Sequence, residues 1–255
     1  MHLLITNDDG VSSVGLKALA DAAMRRGHRV FISAPNGQRS ANSQHITLTT
    51  PLHAHPRPWD GARAFAVDGT PADCVRVAPF LAEEEFDFCL SGINDGENAG
   101  PSVYYSGTVA AAREAATLYI PALAVSIMRG ATDEMRAHLA NMAVEMAEKF
   151  QKEKFPRFAC LNLNAPALPP EQLKPLKICP LSQAYFLDRY EKRVSPQGEP
   201  YFWLGANDTS GVPLELLEPG SDYAFLHEGH VTCTFLGAFS DHNRLLEEKM
   251  QDFAE

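Results

Sequence analysis

The sequence predicts an α/β protein: a three-layer α/β/α core around a mostly parallel sheet, followed by an extension of different character. Three observations lead there. Short apolar runs bounded by turn residues, at 3–6, 29–34, 63–67, 86–91, 122–127 and 158–163, are interleaved with stretches of helical spacing, the pattern of parallel strands joined by crossover helices. With 255 residues and 45% hydrophobic content, the chain has apolar material for a sizeable core. The alternation ends near "LNLNAP", where prolines at 166, 169, 170, 175 and 180 begin a region of hairpin signals. Residues 1–165 are therefore read as a Rossmann-like core that carries the chemistry. Residues 166–255 are read as an extension (hairpin, strand and helix) that completes the same domain and serves an oligomer interface.

The first helix is the clearest element. Leu16, Leu19, Ala20, Ala23 and Met24 share one face, a serine is available as N-cap, and Gly27 follows the last turn. A second helix starts in "DGTPADCVRVAPF", where Thr70 caps, Pro71 fits the first helical position and Asp73 sits three residues on from the cap. A third is expected from about Gly107 to Leu118 and a fourth from about Thr132 to Phe150. The proline-rich stretch 166–180 reads as a linker. After it, "AYFLDRYEKRV" and "EPYFWLG" suggest a hairpin, which is marginal unless packed on something. The tail reads as a strand, "HVTCTFLGAF", followed by an amphipathic helix, "SDHNRLLEEKMQDF".

Composition excludes some classes of partner. The net charge of −10, without a lysine or arginine cluster, argues against a nucleic-acid polymer or an anionic membrane. No apolar run approaches the roughly 20 residues of a bilayer span, and no basic-then-apolar leader precedes the first strand; a cytoplasmic location is the expectation. Cys74, Cys89, Cys160, Cys179 and Cys233 lack any Cys-x-x-Cys spacing and read as small core residues in a reducing compartment.

The chemistry is expected on the loops at the carboxyl ends of the strands. "TNDDGVSS" places Asp8 and Asp9 just after the first strand, where a helix, rather than a second hairpin strand, follows. Adjacent carboxylates repel and call for a cation. "SAPNGQRSANSQHIT" follows the second strand and offers Ser40 and Asn42. "SGINDGENAGPSVYYSGTVAAAREAA" is the densest polar segment, and its helix start at Ser106, Gly107 and Thr108 suits an anion such as phosphate. Carboxylates, a hydroxyl and the amide oxygen of Asn94, with no histidine or cysteine among them, select a hard divalent cation, Mg²⁺ or Mn²⁺, over zinc. The His53 and His55 pair is read as facing solvent, and Trp203 with its aromatic neighbours as a subunit contact.

Taken in order, "LLITNDDGVSSVGL", "APNGQRSANS", "VDGTPADCV", "SGINDGENAG" and "YSGTVAAAREA" resemble the SurE, or stationary-phase survival protein, family of metal-dependent nucleotidases. The later segments "LNLNAP", "SPQGEPYFWLG" and "SDYAFLHEGHVTCTFLG" extend the resemblance over nearly the whole chain. It implies one divalent metal ion per subunit, Mg²⁺ or Mn²⁺, on Asp8, Asp9, Ser40 and Asn94. It implies phosphate binding by Asn98, Ser106, Gly107 and Thr108. The implied activity is hydrolysis of nucleoside 5′- and 3′-monophosphates, with short polyphosphate as a further substrate, in a homodimer or homotetramer built by C-terminal exchange. Asp8 and Asp9 are both candidates to accept a proton from water, Asp8 ahead of Asp9, and the sequence leaves the choice open. The chain departs from the family pattern at Ser102, where aspartate is usual, at Ala41, where glycine is usual, and at Phe235, where proline is frequent. Two rival readings are a covalent aspartyl-phosphate route and a metal-dependent phosphoacceptor or nucleotide-sensing module without turnover. The sensor would need a lysine at a later strand end, and none lies between Lys17 and Lys149.

Overall fold

A computed structural model describes residues 1–153, 156–184, 190–204 and 217–237. The first half runs β1 (His2–Thr6), α1 (Val14–Arg25), β2 (Arg29–Pro35), β3 (Ala54–Arg57), β4 (Arg63–Val67), α2 (Pro71–Ala82) and β5 (Phe88–Asp95). After it come α3 (Gly107–Thr117), β6 (Ala122–Ile127), α4 (Asp133–Lys152) and β7 (Cys160–Ala165). The remainder supplies β8 (Lys174–Ile178), β9 (Tyr190–Val194), β10 (Pro200–Leu204), α5 (Asp222–His227) and β11 (His230–Phe235).

Among the described residues, nine strands form one sheet in the order β3-β4-β2-β1-β5-β6-β7-β11-β8. From β4 to β7 every neighbouring pair is parallel, while β3 and β11 run antiparallel to β4 and β7. Successive strands step from β1 toward β2 and β4 on one side, and from β5 toward β6 and β7 on the other. The order therefore reverses between β1 and β5, and the crevice at their carboxyl ends is where such a sheet binds ligands.

Two apolar layers flank the sheet. Leu16, Leu19, Ala20 and Ala23 of α1 and Leu139, Ala143 and Val144 of α4 pack on one face with Leu3, Ile5, Leu90 and Val125. Val75 and Ala78 of α2 and Val109, Ala112 and Ala115 of α3 pack on the other with Leu4, Phe31 and Cys89. Each fully buried Leu or Phe contributes about 1.5–3 kcal/mol. The caps follow the sequence reading. Ser13 accepts from the Leu16 N–H, and Thr70 and Asp73 form a reciprocal capping box at the start of α2. All five cysteines are buried and free. Among the described residues, no helix is long and apolar enough to cross a membrane.

The structure departs from the expectations at strand ends and edges. β5 ends at Asp95 rather than Ser91, because pairing with β6 resumes at Asn94 opposite Ser126 after a register shift. A polar side chain ends an apolar pattern without ending the ladder. The stretch 166–180 is no linker, since β8 lies within it and joins the sheet beside β11. Its proline is tolerated because β8 is an edge strand. The six-residue α5 lacks a strong pattern and has no counterpart in the sequence reading, whereas the solvent-facing strand on which His53 and His55 are read is present as the edge strand β3. The hairpin is present as β9 and β10, with Phe202 and Trp203 each 59% exposed. His53 and His55 are exposed, and the His55 Nε2 lies 2.9 Å from Asp68 Oδ2. The amphipathic helix expected after residue 239 falls outside the described residues.

Candidate active site

The turn after β1 is organised by Asn7. Its side-chain N–H groups donate to the Gly10 carbonyl (3.1 Å) and to Ser13 Oγ (2.6 Å), while its Oδ1 accepts the Gly10 N–H. Gly10 takes φ +99°, and a Cβ there would lie 3.1 Å from the Gly37 backbone. Only glycine closes this turn. The Val11 N–H donates to the Pro35 carbonyl (2.9 Å) and the Arg39 N–H to the Asp8 carbonyl (2.7 Å), which joins the loop after β2 to the turn.

Asp8 is 4% exposed. Thr108 Oγ1 donates to its Oδ1, and the N–H groups of Gly107 and Thr108 donate to the same carboxylate. A Cβ on Gly107 would lie 2.7 Å from the Asp8 Cβ, so glycine is what lets the start of α3 close over it. Asp8 thus takes the place of the anion at a helix N-terminus. Burial raises its pKa above the ordinary 3.8, and these donors pull against the rise. Asp9 is half-buried, and its pKa is pushed up to about 6 by burial first, then by Asp8 and Asp95; the Asp95 N–H, donating to it, offsets part of this. Among the described residues, no basic side chain forms an ion pair with Asp8 or Asp9.

Asn94 lies next to Asp95 at the end of β5. Its Nδ2 donates to the Gly96 carbonyl (2.7 Å), which leaves the amide oxygen as the ligating end. Ser40 is exposed, one residue past the Arg39 contact with Asp8, and accepts from Gln38 Nε2 at 3.0 Å. Ser106 caps α3 by accepting from the Val109 N–H (3.1 Å), and its hydroxyl proton stays available. Asn98 is buried; its Nδ2 donates to Ser126 Oγ (2.8 Å) and its N–H to Asn164 Oδ1 (2.8 Å). The structure therefore draws Asp8, Asp9, Gly107, Thr108 and the Asn94–Asp95 strand end into one rim. Ser40 and Asn98 stand on segments bonded to that rim.

The family model described as "Survival protein SurE" matches residues 3–188. The chain belongs to the SurE family. A protein named 5′-nucleotidase SurE from Solidesulfovibrio magneticus is 40% identical, over 92% of this chain and 90% of that protein. One of the same name from Synechococcus sp. is 42% identical over 92% and 87%. The crystal structure of the SurE protein from Aquifex aeolicus superposes with a TM-score of 0.80 at 32% identity, covering 97% of this chain and 98% of that one.

Several residues that shape this candidate site carry only weak signals in the sequence. In the sequence Asp95 is only one member of a polar segment; in the structure it is a third acid beside Asp9 and pairs with Arg136 at 3.2 Å. Asn162 and Asn164 donate to the Asn98 carbonyl at 2.7 and 3.2 Å. Their signal was the alternating pair of amides in "LNLNAP", two polar side chains inside a buried strand. At the family departures, Ser102 closes its own turn by donating to the Ala99 carbonyl, and Ala41 takes φ +58°, a backbone that glycine adopts without strain.

The donor set fits a hard divalent cation. Asp95 is already paired with Arg136, but the neighbouring carboxylates of Asp8 and Asp9 have no basic partner among the described residues, and an oxygen-ligated ion would relieve that charge. Among the described residues no three His, Cys, Asp or Glu side chains group as a metal nest, so neutral oxygens such as those of Asn94 and Ser40 would complete the shell.

Proposed function

We propose that this chain is a 5′-nucleotidase that hydrolyses nucleoside monophosphates to nucleoside and inorganic phosphate. The observation that carries the reading is the unpaired Asp8–Asp9 couple at the β1/β5 switch point, facing the start of α3. Asp8, Asp9, Ser40 and Asn94 would hold one Mg²⁺ or Mn²⁺ per subunit. When bound, such a cation supplies positive charge to a phosphate ester and lowers the barrier to attack by water.

The chain's own groups do the rest. The Ser106 hydroxyl and the Asn98 amide hold phosphoryl oxygens. Gly107 and Thr108 act on the phosphate mainly through Asp8, since their N–H groups and the Thr108 hydroxyl already reach that carboxylate. For the same reason Asp9, rather than Asp8, is the carboxylate with an accepting oxygen to spare for a proton from water. Charge that moves toward the leaving oxygen meets positioned donors rather than mobile solvent. 3′-Nucleotides and short polyphosphate present the same phosphoryl group and belong to the same proposal. The segments beyond residue 165 are assigned to a homodimer or homotetramer formed by C-terminal exchange, a reading supported by the exposed aromatics of β9 and β10.

The test is phosphate release from a nucleotide panel with Mg²⁺, with Mn²⁺ and with chelator, comparing the native chain with Asp9→Asn. Release that needs metal and is lost in the variant is expected. Full activity under chelation contradicts the reading, and metal binding without turnover would make the chain a sensor. A stable adduct of a phosphate mimic on Asp8 would favour the covalent route.

A further inference from the structure

Asp222 stands at the start of α5, 122 positions after Gly100, and its side chain is fully buried. Its Oδ2 accepts the Gly100 N–H at 2.8 Å, and its Oδ1 accepts the N–H groups of Ser182 and Tyr223, each at 2.8 Å. Among the described residues no cation pairs with it. A buried carboxylate held only by backbone donors is costly, and the need for a helix cap does not account for it. Ser221 already caps α5 by accepting from the Ala224 N–H.

From the loop side the contact is equally tight. Gly100 takes φ +51°, and a Cβ there would lie 2.9 Å from the Tyr223 ring and 3.2 Å from the Ser182 carbonyl. The loop between Gly96 and Ser106 is held at one end through Asn98 on Ser126 and Asn164. At the other end Ser43 Oγ donates to the Tyr104 carbonyl (2.6 Å). Asp222 holds its middle.

We propose that Asp222 is a positioning residue for the phosphate-holding loop of residues 96–106, so that a helix from beyond residue 165 sets the geometry of Asn98 and Ser106. The proposal rests on the phosphatase reading for what that loop holds. The hydrogen bonds of Asp222 go to Gly100, Ser182 and Tyr223 and not to the Asp8–Asp9 couple, so its effect runs through the loop.

The test is Asp222→Asn. The amide retains an oxygen toward Ser182 and Tyr223 and sets an NH₂ group against the Gly100 N–H. A folded variant, checked by near-ultraviolet circular dichroism, is expected to raise the KM for AMP and the inhibition constant of inorganic phosphate together by about tenfold. The kcat should change less than about threefold, Mn²⁺ affinity should hold, and amide hydrogen exchange over 99–106 should quicken. Gly100→Ala reaches the same contact from the loop and should give the same signature, which decides the matter if Asp222→Asn does not fold. Either variant folded with native KM and phosphate inhibition overturns the proposal, as does a parallel loss of Mn²⁺ affinity, which would mean general disorder of the rim. If the native chain releases phosphate from no nucleotide, the phosphatase reading fails instead. The clamp is then judged by exchange alone, and native rates over 99–106 in Asp222→Asn overturn it.

Discussion

At the amino ends of β1, β2 and β4, His2, Arg29, Phe31, Arg63 and Glu84 line a cavity of about 320 Å³; at the carboxyl ends of β1 and β5, the rim gathers Asp8, Asp9 and the start of α3. Both ends are charged, but the charges are arranged differently. In the amino-end cavity Arg29 and His2 pair with Glu84, and Arg63 donates to the Leu81 and Ala82 carbonyls beneath the Phe31 ring. At the rim two carboxylates share a half-dry turn without a basic partner. The hollow end is internally satisfied and the rim is not, and uncompensated charge rather than volume is the ground on which the rim is proposed as the working site.

The largest expected contrast is in turnover. Asp9→Asn should lower phosphate release by at least about 10³-fold, whereas Arg29→Ala and Glu84→Gln should leave it within about twofold of native. Equal losses at the two ends would erase the distinction. Next in size, Gly107→Ala pushes a methyl group onto Asp8 and should cost about 10²-fold in kcat/KM, the scale of an ångström-sized misplacement. Native kinetics in that variant would show that the closure of α3 over Asp8 is incidental.

The two ends should also respond oppositely to pH. The pKa of Asp9 is raised to about 6 from 3.8, so in chelated protein the associated stability is full below about pH 4 and is lost as pH climbs through 6. After solvent screening at this half-buried position, the change is about 1–2 kcal/mol. Urea unfolding in chelator at pH 4, 5, 6 and 7 should show the fall, and Asp9→Asn should flatten it. Glu84, lowered from 4.5 by the Arg29 hydrogen bond, has the reverse sign: its contribution is present above the ordinary value and is lost as pH falls. The smallest effect concerns the loop that carries Ser40. Ala41→Gly relieves a left-handed backbone at some cost in unfolded-chain entropy and should stabilise by about 0.5 kcal/mol, read as a small rise in Tm.

The rim was more legible in the sequence than the sheet's periphery, for a physical reason. Asp-Asp-Gly after an apolar run, and Ser-Gly-Thr before a helix, are local signals whose meaning depends on few distant contacts. The parallel core from β1 to β7 was legible for the same reason, since each crossover helix shows its own stripe and cap. By contrast, β8 and α5 take their structure from what they pack against. The "KPLKI" of β8 has no buried side to leave a pattern, and α5 is too short to show periodicity. Within the site, Asp95 and the paired asparagines of β7 are hard to weigh from the sequence because their partners lie far along the chain, Asp9 and Arg136 for Asp95 and Asn98 for Asn162 and Asn164. Their importance is set by the register shift in β5 and by the neighbour order β5-β6-β7, neither of which a single strand reveals.

The most direct test of the central claim, that the unpaired carboxylates of the rim take a hard cation, is equilibrium Mn²⁺ binding followed by electron spin resonance. The account predicts one saturable Mn²⁺ per native chain, unchanged in Arg29→Ala and lost in Asp9→Asn. Native-strength binding in Asp9→Asn, or loss of the site in Arg29→Ala, would contradict it.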